Sequence, residues 1–133
     1  MEIIARRELQ ENRLPGRIIQ KAVGKDARSR SGRMTMGFGR YSKESGPMEP
    51  HQHAEEICYI IDARKGYIRY GDGKQKLEER IALERGMILH VPELEWHVFE
   101  YDGDGFVDII FFYGQVDNIR PEEIRRNTPL SSQ

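Results

Sequence analysis

Between Met34 and Tyr113 the apolar residues do not repeat at helical spacing; short runs rich in Ile, Val and aromatics recur instead between Gly, Pro and Asp. That rhythm belongs to an all-β barrel or sandwich. It predicts strands at Arg33 to Tyr41, Ile57 to Ile61, Gly66 to Tyr70, Gln75 to Glu78, Met87 to Val91, His97 to Tyr101 and Phe106 to Tyr113. Gly71-Asp72-Gly73 and Asp102-Gly103-Asp104-Gly105 tolerate positive φ and read as tight hairpins, so the strands flanking each are expected to pair antiparallel. Arg64-Lys65-Gly66 reads as a further turn. Glu44-Ser45-Gly46-Pro47 and Val91-Pro92 punctuate the approaches to His51/His53 and to His97, which places those histidines at loop-to-strand junctions near one barrel mouth.

The flanks behave differently. Residues 1–32 hold one short apolar cluster, Leu14 and Ile18-Ile19, in a charged, Gly-interrupted segment that predicts an added edge strand able to pair with a second subunit. Residues 33–115 make the barrel. Residues 116–133 include Pro121-Glu122-Glu123-Ile124-Arg125-Arg126, with Pro at a helix start, acids in the first turn and bases in the last, as the helix dipole favours. One short helix and a loose tail are expected there. No repeat or linker divides the chain, and its 133 residues suit a single domain.

Charge narrows the partners. Twenty-one basic and 22 acidic residues leave a net charge of -1, and neither sign gathers into a run. A nucleic-acid partner is not expected. With one cysteine, Cys58, no intrachain disulfide forms, and the Met1-Glu2 start followed by Arg6-Arg7 lacks the apolar core of a signal peptide. No apolar stretch approaches the roughly 20 residues of a membrane helix. The expectation is a soluble cytoplasmic protein, apart from membranes, and a homodimer.

The candidate chemistry lies in the histidines. In His51-Gln52-His53 two imidazoles are two residues apart, and on an extended strand they project to one face, close enough to share one ion. Glu56 follows after two residues and can turn its carboxylate to the same ion, with Glu55 a competitor. His97 is too distant in sequence for local periodicity to place it.

Two segments carry a family resemblance. Gly46-Pro47-Met48-Glu49-Pro50-His51-Gln52-His53-Ala54-Glu55-Glu56 followed by Ile57-Cys58-Tyr59-Ile60-Ile61 resembles the first motif of the cupins, in which Gly precedes His-x-His, then Glu, then an apolar strand. Gly86-Met87-Ile88-Leu89-His90-Val91-Pro92-Glu93-Leu94-Glu95-Trp96-His97 resembles the second, with Pro after five intervening positions and His after a further four. The gaps from Gly46 to His51 and from His53 to Glu56 are short, Ala63 stands where a strand-ending Gly is usual, Leu94 replaces a Gly, and Tyr101 occupies the Asn position.

The resemblance implies an all-β cupin-type double-stranded β-helix, a jelly-roll barrel with an N-terminal edge strand and a short C-terminal helix. It also implies that His51, His53, Glu56 and His97 hold one divalent transition metal ion. Three imidazoles and a carboxylate suit Fe, Mn, Ni, Zn or Cu. If the ion is octahedral, four protein ligands leave two positions for water, substrate or dioxygen. The ion keeps about one net positive charge beside one carboxylate, which favours carboxylates, enolates or diols as ligands.

Alternation from Glu56 puts Cys58 and Ile60 on the interior face. Phe99 and Tyr101 share the face of His97, and Met34, Met36 and Phe38 share a face of their strand; core packing accounts for all five. Arg40, Tyr41 and His90 lie where a mouth-bound substrate is within reach, and each reads equally well as a solvated or satisfied residue, so none is assigned a role. The functional expectation is a small metalloenzyme acting on a polar or anionic metabolite, by isomerase or lyase chemistry or as a dioxygenase. The alternative is a non-catalytic module that binds or senses a small ligand; no helix-turn-helix segment accompanies it.

Overall fold

Two long strands organise the molecule. The structure, a computed structural model, describes residues 1–126. The strands are β1 (Asn12–Leu14), β2 (Arg17–Gly24), β3 (Ser29–Arg30), β4 (Thr35–Ser42), β5 (Glu56–Gly71), β6 (Ile81–Ala82), β7 (Ile88–Val91) and β8 (Trp96–Tyr113). A 3-10 turn at Arg6–Glu8 precedes them and one helix, α1 (Pro121–Arg126), follows. The tail expected after that helix lies outside the described residues. The sheet order is β1-β2-β4-β8-β5-β6, with β3 on β2 and β7 on β5. The N-terminal segment thus supplies one edge, as expected. Among the described residues no helix is long and apolar enough to cross a membrane.

β5 and β8 run 16 and 18 residues and pair antiparallel from Ile57↔Phe112 to Gly71↔Trp96. This corrects two expected turns. Arg64-Lys65-Gly66 and Asp102-Gly103-Asp104-Gly105 do not reverse the chain; they lie within these strands, where the pairing register shifts between Arg64 and Gly66. Positive φ at Lys65 (47°) and Gly103 (52°) serves an irregular, bent ribbon here, as it would have served a hairpin. Gly71-Asp72-Gly73 does reverse the chain, and the Glu78 amide donates to the Tyr70 carbonyl at 2.8 Å. The strand expected at Gln75 to Glu78 shrinks to a bridge between Leu77 and Gly71, and β6 pairs with β5 instead.

The bend folds the ribbon over one core. Cys58, Ile60, Val107, Ile109 and Phe111 from one half pack with Ile68 and Phe99 from the other, joined by Tyr41 and Leu83. On β4 the inward positions are Gly37, Gly39 and Tyr41, not Met34, Met36 and Phe38. A Cβ on Gly37 would sit 2.7 Å from the Phe111 ring, so only glycine leaves that ring its place in the lumen. Met36 and Phe38 face outward and are half-buried. The N-terminal segment straps over Phe38: Arg6 lies 4.4 Å above its ring and donates two hydrogen bonds, 2.8 and 2.9 Å, to the buried Asp108 carboxylate.

Candidate metal centre

Backbone pairing brings distant histidines together. His51 and His97 form an antiparallel bridge, each amide donating to the other's carbonyl at 2.9 Å, so their side chains leave the same face side by side. The zip continues: the Leu94 amide donates to the His53 carbonyl at 2.8 Å, and Gln52 Nε2 donates to the Leu94 carbonyl at 2.8 Å. Leu94 adopts φ 63°, the left-handed conformation that the usual glycine of the second motif permits freely. The turn geometry therefore persists despite the substitution.

The three rings converge. Their ligating atoms lie within 4.8 Å of one another, and His97 and His53 are 1% and 8% exposed. The Nδ1–H of His53 donates to the Ala54 carbonyl at 2.7 Å and that of His97 to the Glu95 carbonyl at 2.9 Å. A carbonyl only accepts, so both neutral rings carry the proton on Nδ1 and present bare Nε2 lone pairs. Those two Nε2 atoms are 3.0 Å apart. Two lone pairs at that separation repel, and a shared cation turns the repulsion into two bonds. Ligands at about 2.1 Å from an ion and at right angles are themselves about 3.0 Å apart. His51 Nδ1 is buried without a hydrogen-bond partner among the described residues, although the Glu49 carbonyl near that ring favours its protonation.

Burial keeps the rings unprotonated, with help from their neighbours. His51 is lowered to about 2 by desolvation, then by His97, His53 and Arg17; His53 is lowered to about 4 by desolvation and His97. His97 is lowered by desolvation. Neutral imidazole is the ligating form, so the donors are ready to accept a metal at neutral pH.

Strand phase separates the two glutamates. Glu56 opens β5 pointing inward with Cys58 and Ile60, and its Oε1 lies 3.4 Å from His53 Nε2. Tyr113 and Cys58 donate hydrogen bonds to its carboxylate, while desolvation raises Glu56 to about 7. Glu55 points outward and pairs at 2.6 Å with exposed His90 on β7. His90 is thus remote from the site. Arg40 is also outside, its guanidinium over the Phe106 ring at 4.4 Å. Cys58 is fully buried, and desolvation and Glu56 raise its thiol, which therefore stays protonated.

A cavity of about 370 Å³ includes the histidines and is lined by Arg17, Ile19, Tyr41, Glu56, Phe99, Phe111 and Tyr113. Sequence reasoning missed Arg17 and Tyr113. Tyr113 ends a strand in the alternation phase of Phe111, a signal that was present; Arg17 reaches the site only through long-range pairing of β2 with β4.

No family model matches the sequence, and no curated protein matches it. Solved structures do match in shape. A protein from Planctomyces limnophilus superposes with TM-score 0.66 at 18% identity, over 88% of this chain and 91% of that one. The polyketide cyclase RemF from Streptomyces resistomycificus gives 0.61 at 19% identity over 84% and 78%. An oxalate decarboxylase from B. subtilis gives 0.62 at 14% identity, over 86% of this chain but 29% of its own length. The chain has the cupin fold. In this fold the histidines stand where the long strands and their preceding loops meet, and the three of them can hold a metal ion.

Proposed function

We propose that this cupin is a small metal-dependent enzyme acting on a polar or anionic metabolite at a centre formed by His51, His53, His97 and Glu56. The single observation that carries the reading is the 3.0 Å approach of the His53 and His97 Nε2 atoms with both Nδ1 atoms committed to carbonyls. A buried pair of lone pairs with no proton to share fits a cation and little else. Glu56 supplies the charge that balances the ion, and Tyr113 and Cys58 hold its carboxylate in place. A divalent ion there supplies Lewis acidity or, if redox-active, activation of dioxygen.

The cavity walls set the medium around the centre. Tyr41, Phe99 and Phe111 line it with their aromatic rings. RemF is named a polyketide cyclase and the B. subtilis neighbour an oxalate decarboxylase, so the barrel accommodates more than one chemistry. Aerobic assay of the Fe(II)-loaded protein beside anaerobic assay of the Zn(II), Mn(II) and Ni(II) forms, on a panel of hydroxy acids and sugar acids, tests the reading. Turnover in air alone identifies an oxygenase, and turnover without oxygen an isomerase or lyase. No turnover in any form favours a non-catalytic binding module.

A further inference from the structure

One arginine stands apart. Among arginines with described side chains, Arg6, Arg13, Arg64, Arg69, Arg80, Arg85 and Arg120 each face a carboxylate. Arg7, Arg28, Arg30 and Arg33 are exposed, and Arg40 stacks on Phe106. Arg17 is half-buried, and its hydrogen bond among the described residues is a long one, 3.4 Å, to the Pro15 carbonyl. A guanidinium offers five donors, so most of its capacity is unspent.

The chain fixes Arg17 in place. It follows the Pro15-Gly16 turn and opens β2, paired with Leu14 across the β1–β2 hairpin. Gly16 has φ 84°, its amide donates to the Ser45 carbonyl at 2.9 Å, and a Cβ there would lie 3.0 Å from Met48 Cα. The turn is therefore docked on the loop that leads to His51. Arg17 lines the cavity of about 370 Å³ and also the outer groove of about 770 Å³, and both include His51, His53 and Tyr113. Its positive charge is felt at His51, His53 and Tyr41.

We propose that Arg17 is the anion-binding residue of this site, and that its ligand is a small carboxylic acid whose apolar body lies among Ile19, Phe99 and Phe111. The substrate class rests on the metal-centre reading; the Arg17 contact itself does not. A single planar fork matches the two oxygens of a carboxylate. A phosphate recruits several donors or a helix N-terminus, and among the described residues no long helix points here. The apolar walls select against small, fully hydrated anions.

The probe is benzoate, with benzamide as its neutral isostere, followed by NMR titration of the Zn(II)-loaded and Zn(II)-free full chain. Benzoate is expected to bind the wild type at least tenfold more tightly than benzamide does. In the Zn(II)-free protein, where no ion draws the carboxylate, Arg17→Met should remove that preference, weakening benzoate about tenfold with benzamide unchanged. Arg17→Lys should restore part of it, and zinc content should be equal in all three proteins, which also reports folding. Equal affinities for benzoate and benzamide in the wild type, or benzoate binding unchanged in Zn(II)-free Arg17→Met, would overturn the proposal. If the wild type takes up no zinc, the metal reading fails alone, and the same comparison on Zn(II)-free protein still decides Arg17.

Discussion

His53 and His97 face each other through Nε2 atoms 3.0 Å apart, each ring locked by an Nδ1 hydrogen bond to a backbone carbonyl. Without a cation this arrangement works against folding, and with one it works for it. A saturating divalent ion, at about 1,000 times its dissociation constant, is expected to add about 4 kcal/mol of stability. Thermal denaturation should show a rise in melting temperature of about 10 °C or more on adding Zn(II) or Ni(II), reversed by chelator. A shift under about 2 °C would show that the rings do not share the ion.

Glu56 and Glu55 separate by substitution. Glu56→Gln should weaken metal binding by about tenfold to a hundredfold, since the replacement keeps the shape but loses the charge. Glu55→Gln should leave it unchanged, because Glu55 points outward to His90. Isothermal titration of both variants checks the pair, and a loss in Glu55→Gln with Glu56→Gln unchanged would reverse the assignment.

The pH dependence of the metal-free protein follows from the same burial. Lowered histidines bind fewer protons folded than unfolded, so their stability contribution is complete above 6.5 and is lost as pH falls below it. Glu56 acts oppositely: raised from 4.5 to about 7, it is carried folded without cost at low pH and destabilises as pH rises through that interval. Between 4.5 and 6.5 at least two histidines oppose one glutamate. Melting temperature in chelator should therefore climb with pH across this window and level off near 7. His53→Gln should flatten the climb.

Leu94 carries backbone strain at φ 63°. Leu94→Gly relieves roughly 1 kcal/mol and gives up the packing of a half-buried side chain. Urea denaturation should show a change within about 0.5 kcal/mol of wild type, far less than leucine truncation in a core costs. A loss above about 2 kcal/mol would mean that the side chain, not the backbone, holds this turn.

The sequence exposed most of this architecture and hid a definable part. The His51/His53 pair was legible because alternation needs only two residues, and the strand class because apolar runs break at Gly, Pro and Asp. The continuity of β5 and β8 was not, since Lys65 and Gly103 use positive φ inside a bulged ribbon and the local signal equals that of a turn. Glu55 stayed open beside Glu56 because Ile57 to Ile61 is apolar on both faces; the structure shows Ile57 and Tyr59 45% and 41% exposed and Glu56 inward with Cys58 and Ile60. Arg17 was out of reach because its neighbours come from β4 and the His51 loop, contacts that only the closed sheet creates.

Metal content tests the centre most directly. The wild type and a His53→Ala/His97→Ala double variant, each incubated with Fe(II), Mn(II), Ni(II) and Zn(II), desalted and measured by elemental analysis, should differ sharply. About one equivalent of metal per chain is predicted for the wild type and less than about a tenth for the variant, both folded by circular dichroism. Equal metal in the two proteins, or none in the wild type, would contradict the site.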